Sequence, residues 1–165
     1  NTFTLPVWRR VFPGARVIHI IRHGIDVAAS LARRHATALR AATGETRPPA
    51  LTVIQDHALG VLSSRRGWTL DEALTMWEQY VEKAREEMAD SSLESLEVRF
   101  EALLEDPGSV IATIADFFDL TLPAEHEQWF ESIRSSRAFA FRAEPELAAF
   151  AQAQRESLAR YDYSP

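Results

Sequence analysis

The residues best suited to chemistry in this chain are Arg22, His23 and Gly24, followed by Ser30 eight positions after the arginine. Arginine carries a fixed positive charge on a planar fork of N–H donors, which fits the oxygens of a phosphate or sulfate. Ser30 lies about one helical turn beyond Asp26, so its hydroxyl is placed to donate to the same anion. These residue types at this spacing predict an anion-binding site.

A buried strand and a helix must position this site. Residues 16–21 include four β-branched residues in a nearly continuous apolar run, as expected of a strand buried on both faces of a parallel sheet. Gly24 permits a tight turn, and residues 25–42 then follow a helical period. In α/β proteins a ligand lies beyond the carboxyl end of such a strand, where the N–H groups of a helix N-terminus favour an anion.

The remaining regular segments are mostly helical. They are a second strand at 94–100 and helices at 5–12, 69–88, 107–118, 122–133 and 145–160. Thr69 and Glu72 form a capping box at the start of the clearest helix. Together the patterns predict one helix-dominated α/β domain over residues 1–165, with parallel strands near 16–21 and 94–100.

Composition restricts the function classes. An apolar fraction of 46% is enough for one core, and no apolar run is long enough to span a membrane. The absence of cysteine excludes disulfides and thiolate metal sites and favours a cytoplasmic location, and no metal-ligand spacing is present. A net charge of −6 argues against nucleic-acid binding. Residues 1–50 nevertheless carry a net +6, which suits a ligand with several negative charges.

The segment from Phe12 to Arg33 resembles the 3′-phosphate-binding segment of sulfotransferases that use 3′-phosphoadenosine 5′-phosphosulfate (PAPS). The shared features are a strand ending in Arg, a turn with Gly, an Asp, and a Ser eight positions after the Arg. Residues 12–16, FPGAR, also match the FPxAR that commonly leads into this strand in bacterial members. In that family the Arg and the Ser hold the 3′-phosphate, which implies this role for Arg22 and Ser30.

A second similarity covers residues 96–120, which resemble the family's strand ending in R(Y/F)EDL, its DP loop and the following helix. Phe100 falls where the family often has an aromatic ring against the adenine. Glu101 follows it and is expected to be a structural partner for a nearby Arg or a backbone amide. A basic C-terminal loop reaches the 3′-phosphate in many members, which implies a contribution from Arg137 or Arg142.

The resemblance implies sulfuryl transfer from PAPS to a hydroxyl or amine of a small-molecule acceptor, without a metal. Residues 35–68 fall where the family's acceptor pocket commonly lies. Members also carry an upstream PKSGTT-type loop that cradles the 5′-phosphosulfate; this sequence lacks it, and its only lysine, Lys83, is in a predicted helix. We therefore expect the C-terminal part of a P-loop-like sulfotransferase fold, with no catalytic residue identified, incomplete for catalysis by itself. A further N-terminal segment or a second chain would complete the sheet.

Two other interpretations use the same residues. Arg22-His23-Gly24 after an apolar strand is also the signature of histidine phosphatases and phosphoglycerate mutases, in which the His becomes phosphorylated and the Arg binds phosphate. That family usually continues with Glu or Gln, whereas Ile25 follows here. The third interpretation is a truncated, non-catalytic domain that binds a nucleotide or only a protein partner.

Overall fold

The computed structural model describes residues 2–42, 69–90, 93–123 and 135–165, and also 125, 128, 130 and 133. The chain divides into two compact units, which consist of Asn1–His23 with Gln79–Ala143 and of Gly24–Glu78 with Glu144–Pro165. Within the described residues, helix is the dominant structure, as the sequence predicts. The single domain over residues 1–165 stays a prediction.

The regular elements follow one another along the chain with two strands among seven described α-helices. They are α1 (Leu5–Val11), β1 (Val17–Ile21), α2 (Gly24–Ala42), α3 (Leu70–Met88), β2 (Ser95–Arg99), α4 (Phe100–Glu105), α5 (Pro107–Phe117), α6 (Pro145–Ala153) and α7 (Arg155–Ala159). Short 3₁₀ helices lie at Thr2–Thr4, Ser135–Arg137 and Ala140–Ala143. The helix predicted over 145–160 is therefore two helices, which meet at Gln154.

The first unit contains the sheet. β1 and β2 pair in parallel, from Val17 opposite Ser95 to Ile21 opposite Arg99, so the two predicted strands and their direction are confirmed. Side chains alternate between the faces of a strand, and Ile21 is 1% exposed whereas Ile20 is 56% exposed. The prediction that β1 is buried on both faces is therefore wrong at Ile20, because the described residues cover only one face of the strand there.

Polar contacts fix both ends of this sheet in the first unit. At the start of β1, Arg16 donates hydrogen bonds to Glu94 Oε2 at 2.6 Å, to the Phe117 carbonyl oxygen at 2.7 Å and to Asp119 Oδ2 at 2.5 Å. The hydrogen bonds to Asp119 and Glu94 raise the pKa of the Arg16 guanidinium. After β2 the chain turns directly into α4 and then α5, and Asp106 caps α5 by accepting from the Ser109 N–H at 3.0 Å.

A second polar group lies on the sheet itself. Arg85 donates two hydrogen bonds to the Glu97 carboxylate at 2.7 and 3.0 Å, and His19 Nδ1 lies 3.0 Å from Glu97 Oε2. His19 and Glu97 are direct partners in the strand register. The Arg85 hydrogen bonds, aided by His19 and opposed by partial burial, hold the pKa of Glu97 below its ordinary value.

The second unit packs its helices around aromatic side chains. The Trp77 ring meets the Tyr161 ring edge-on, with centroids 4.8 Å apart. Gly24, the first residue of α2, is required by close packing, since a Cβ there would stand 2.8 Å from Trp77 Cε3 and 2.9 Å from Leu74 Cδ1. Among the described residues of this unit, the following are also buried and apolar: Ile25, Ala28, Ala29, Ala73, Leu147, Ala151, Leu158 and Tyr163.

The predicted capping box of α3 is confirmed. Thr69 and Glu72 exchange hydrogen bonds, from the Thr69 N–H to Glu72 Oε2 at 3.1 Å and from the Glu72 N–H to Thr69 Oγ1 at 3.2 Å. Two N–H groups that would otherwise lack an acceptor at the helix start are satisfied in this way. None of the described helices is long and apolar enough to cross a membrane.

Candidate functional site

Two of the predicted site residues meet where the parallel strands end. Arg22 directly follows β1 and Phe100 directly follows β2, and the strand register brings the two positions level. The Arg22 guanidinium carbon lies 5.0 Å from the centre of the Phe100 ring, within cation–π distance. Arg22 Nη2 also donates to the Arg137 carbonyl oxygen at 3.2 Å. The guanidinium is thus held between an aromatic ring and a main-chain acceptor.

His23, the residue after Arg22, is also held by a residue that follows β2. The His23 N–H donates to Glu101 Oε1 at 2.8 Å, and His23 and Glu101 are 0% and 3% exposed. The expectation that Glu101 is a partner for a backbone amide is confirmed. A buried carboxyl group needs such a donor, because leaving it without hydrogen bonds in an apolar surrounding is costly.

The His23 side chain is enclosed by aromatic rings. It stacks on Phe141 with ring centroids 4.4 Å apart and meets Phe139 edge-on at 5.7 Å. A histidine that becomes phosphorylated must be reachable by a phosphate ester in line with its ring nitrogen. The enclosure of His23 argues against the phosphatase interpretation, since its ring is packed as a core side chain.

Arg142 joins the same group of contacts through Phe139. Its guanidinium carbon lies 4.3 Å from the Phe139 ring centre and 5.7 Å from that of Phe141, and the side chain is exposed. Phe139 has a φ of 50°, in the left-handed region that is unfavourable for a bulky residue. Its ring contacts both His23 and Arg142.

The first unit therefore brings Arg22 and Phe100 into contact beyond the strand ends, and it connects Arg142 to His23, the residue after Arg22, through Phe139 and Phe141. Ser30 lies in α2 of the second unit and is half-buried, so its share in the site stays a prediction. The predicted acceptor region at 35–68 falls for the most part, at 43–68, outside the described residues. In the part of the chain that the structure describes, no group of three or more His, Asp or Glu side chains could hold a metal ion.

Sequence reasoning missed Phe139 and Phe141 as members of this group. The signal was present in residues 137–142, RAFAFR, where two phenylalanines alternate with alanine between two arginines. No regular period marked this segment, since it forms two short 3₁₀ turns on either side of Phe139. Only contacts with residues distant in the chain show that its rings pack against His23.

In open α/β sheets ligands bind beyond the carboxyl ends of the parallel strands, which is where Arg22 and Phe100 lie. A family model described as "Sulfotransferase family" matches residues 1–124, most of the 165-residue chain. The chain therefore belongs to the sulfotransferase family, whose enzymes transfer sulfuryl groups. A search of curated proteins and a search of solved structures each found no match.

Proposed function

We propose that this protein is a PAPS-dependent sulfotransferase and that the first unit binds the 3′-phosphate and the adenine of the donor. Arg22 and Arg142 supply positive charge to the phosphate, and Phe100 supplies a ring for the base. Ser30 is assigned to the same phosphate from its sequence spacing. The proposal agrees with the family to which the chain belongs and with the net +6 charge of residues 1–50.

The observation that carries this proposal is the contact between Arg22 and Phe100. The guanidinium carbon of Arg22 lies 5.0 Å from the centre of the Phe100 ring, so the π electrons of the ring attract its positive charge. This attraction restricts where the charge can lie. Preorganisation of this kind favours anion binding, because less side-chain freedom is lost when the ligand arrives.

A 3′-phosphate carries close to two negative charges at neutral pH, so a second cation strengthens its binding. Arg142 is suited to this role, since Phe139 holds its guanidinium and the side chain remains exposed. Phe139 also contacts His23, the residue after Arg22. Arg142 is thus connected to Arg22 through Phe139 and His23.

In the proposed reaction the acceptor oxygen or nitrogen attacks the sulfur in line, the bond from sulfur to the phosphate oxygen breaks, and the acceptor loses a proton to a general base. The residues described here bind and orient the donor, which converts a bimolecular encounter into an aligned one. The acceptor is proposed to be a small molecule with a hydroxyl or amine. A segment or chain other than these residues is proposed to provide the 5′-phosphosulfate loop, as the resemblance implies.

The test is calorimetric titration of the chain with adenosine 3′,5′-bisphosphate, with adenosine 5′-monophosphate and inorganic phosphate as comparison ligands. We expect the bisphosphate to bind at least about tenfold more tightly than either comparison ligand, because one charge-assisted hydrogen bond contributes about that factor to the affinity. Arg22→Ala should weaken bisphosphate binding by roughly tenfold to a hundredfold. Arg155→Ala, at an exposed arginine of α7, should change nothing.

Equal affinity for the bisphosphate and the monophosphate would overturn the proposed 3′-phosphate site. Bisphosphate binding that is unaffected in a folded Arg22→Ala variant would overturn the role of Arg22. Circular dichroism of each variant at the titration temperature separates loss of binding from loss of fold.

A further inference from the structure

We propose that Glu101 is a positioning residue for the anion site: its carboxyl group holds the main chain that carries Arg22. This inference rests on the proposed nucleotide-binding function. It assigns to Glu101 no contact with the ligand, so its effect on binding passes through the backbone of the neighbouring strand.

The ladder between β1 and β2 ends at Ile21 opposite Arg99, and α4 begins at the next residue of the second strand. Once the chain has turned into a helix, its backbone carbonyls point along the helix and no longer toward β1. The His23 N–H therefore loses the acceptor that a longer β2 would have provided. Glu101 Oε1 takes that place at 2.8 Å, two residues beyond the end of β2.

The two residues that follow β1 are thus held by the two residues that follow β2. Phe100 holds the Arg22 guanidinium by its ring face, and Glu101 holds the His23 N–H by its carboxyl oxygen. The stacking of His23 on Phe141 at 4.4 Å fixes the same residue from its side chain. With His23 fixed at both its amide and its ring, the preceding Arg22 has little freedom to change its backbone direction.

The chemistry of position 101 explains why a carboxyl group is suited to this task. A carboxylate accepts stronger hydrogen bonds from a backbone N–H than a neutral acceptor does, and its side chain reaches across the gap between neighbouring strands. An apolar side chain at this buried position would leave the His23 N–H without this acceptor. The turn would then sample other conformations, and Arg22 would lose its fixed position over Phe100.

The experiment compares four chains in the same bisphosphate titration: wild type, Glu101→Ala, Glu101→Gln and Glu105→Ala. Glu105 ends the same helix and is exposed, so its variant is a matched control. We expect Glu101→Ala to weaken binding by about tenfold, Glu101→Gln to retain affinity within about threefold because its amide oxygen still accepts, and Glu105→Ala to bind as the wild type does. If Glu101→Ala does not fold, Glu101→Met replaces it, because methionine fills the space without an acceptor.

A spectroscopic measurement on the unliganded chain reports the proposed hydrogen bond directly. In ¹⁵N–¹H spectra the His23 amide proton should lie downfield in the wild type and in Glu101→Gln. It should move upfield and exchange faster with solvent in Glu101→Ala or Glu101→Met. If Glu101 contributed to stability alone, Glu101→Ala would lower the melting temperature while the folded variant still bound the bisphosphate as tightly as the wild type does.

The outcomes separate the two proposals. If the wild type does not bind the bisphosphate, both the proposed function and the role of Glu101 in it are overturned. If the wild type binds and a folded Glu101→Ala or Glu101→Met chain binds equally well, only the role of Glu101 is overturned. An unchanged His23 amide resonance in these variants also overturns it.

Discussion

The Arg22 guanidinium lies 5.0 Å from the centre of the Phe100 ring, and each residue stands directly after one of two neighbouring parallel strands. The contact joins residues from distant parts of the chain at the edge where α/β proteins bind ligands. It places a fixed charge next to an aromatic ring, and the proposed nucleotide site uses both groups. The following predictions test that pairing and the structure that supports it.

Phe100→Leu should weaken binding of adenosine 3′,5′-bisphosphate. The substitution removes the cation–π contact with Arg22 and the ring proposed to stack on adenine. Each such contact is worth about 1 kcal/mol or more, so we expect a loss of about thirtyfold or more. Phe100→Tyr keeps the ring and should bind within about threefold of the wild type. Calorimetry checks both, with Phe3→Leu as a control at an exposed ring. Wild-type affinity in Phe100→Leu would contradict the assignment.

Arg142→Ala should weaken bisphosphate binding and make it less dependent on salt, because one positive charge near the phosphate is removed. Arg142→Lys should recover only part of the loss, since a lysine ammonium group keeps the charge but lacks the planar fork of donors with which a guanidinium binds phosphate. Titrations at two salt concentrations measure both effects. Arg10→Ala serves as the control at another exposed arginine. If Arg142→Ala matches that control at both concentrations, Arg142 does not contribute to the site.

Ser30→Ala should weaken binding of the bisphosphate by about tenfold and leave binding of adenosine 5′-monophosphate unchanged, because the lost hydroxyl is assigned to the 3′-phosphate alone. Thr37→Val in the same helix removes a hydroxyl that donates to the Arg33 carbonyl oxygen and should affect neither ligand. Parallel titrations of the two ligands give the comparison. A similar loss for both ligands would show that Ser30 acts elsewhere than at the 3′-phosphate.

Gly24→Ala should destabilise the protein by roughly 1–3 kcal/mol, because the new methyl group would stand within 3 Å of the Trp77 ring and of Leu74 Cδ1. Gly108→Ala is the matched control, since its Cβ would meet its nearest neighbour at 3.7 Å and alanine favours a helix by up to about 1 kcal/mol. Thermal unfolding followed by circular dichroism measures both. Equal melting temperatures for wild type and Gly24→Ala would show that α2 and α3 do not pack this closely.

The ion pair of Arg85 and Glu97 should make the free energy of unfolding depend on pH in the acidic range. Its hydrogen bonds lower the pKa of Glu97 in the folded state below the ordinary value of 4.5, so the ionised carboxylate stabilises the fold above that pH. This stabilisation is lost as the pH falls through the folded value. Glu97→Gln should therefore cost about 1 kcal/mol at pH 7, a modest amount for a partly exposed pair, and progressively less at lower pH.

Urea unfolding of wild type and Glu97→Gln at several pH values checks this prediction, with Glu105→Gln as the control. The difference in unfolding free energy between wild type and Glu97→Gln should narrow as the pH falls below 4.5. If this difference in unfolding free energy stayed constant with pH, the ionised form of Glu97 would not stabilise the folded state.

The local pattern of the sequence was enough to predict much of the fold. The apolar runs predict both strands, the capping box predicts the start of α3, and Asp106 with Pro107 predicts the start of α5. These features depend on residues within one or two turns of each other, where steric and capping preferences act directly. The exposure of Ile20 was not predictable, because it depends on what covers the far face of β1.

By itself the sequence determined that Arg22 follows a strand, that Phe100 and Glu101 follow another, and that basic charge gathers in the first fifty residues. Only the tertiary structure decided which of these residues meet. The His23 N–H and Glu101 are 78 positions apart in the chain, and Arg22 and the Arg137 carbonyl are 115 apart. The first contact follows from the register of the two strands, and the second from the packing of residues 137–142, which have no regular period. Both depend on which side chains from the whole unit become buried together.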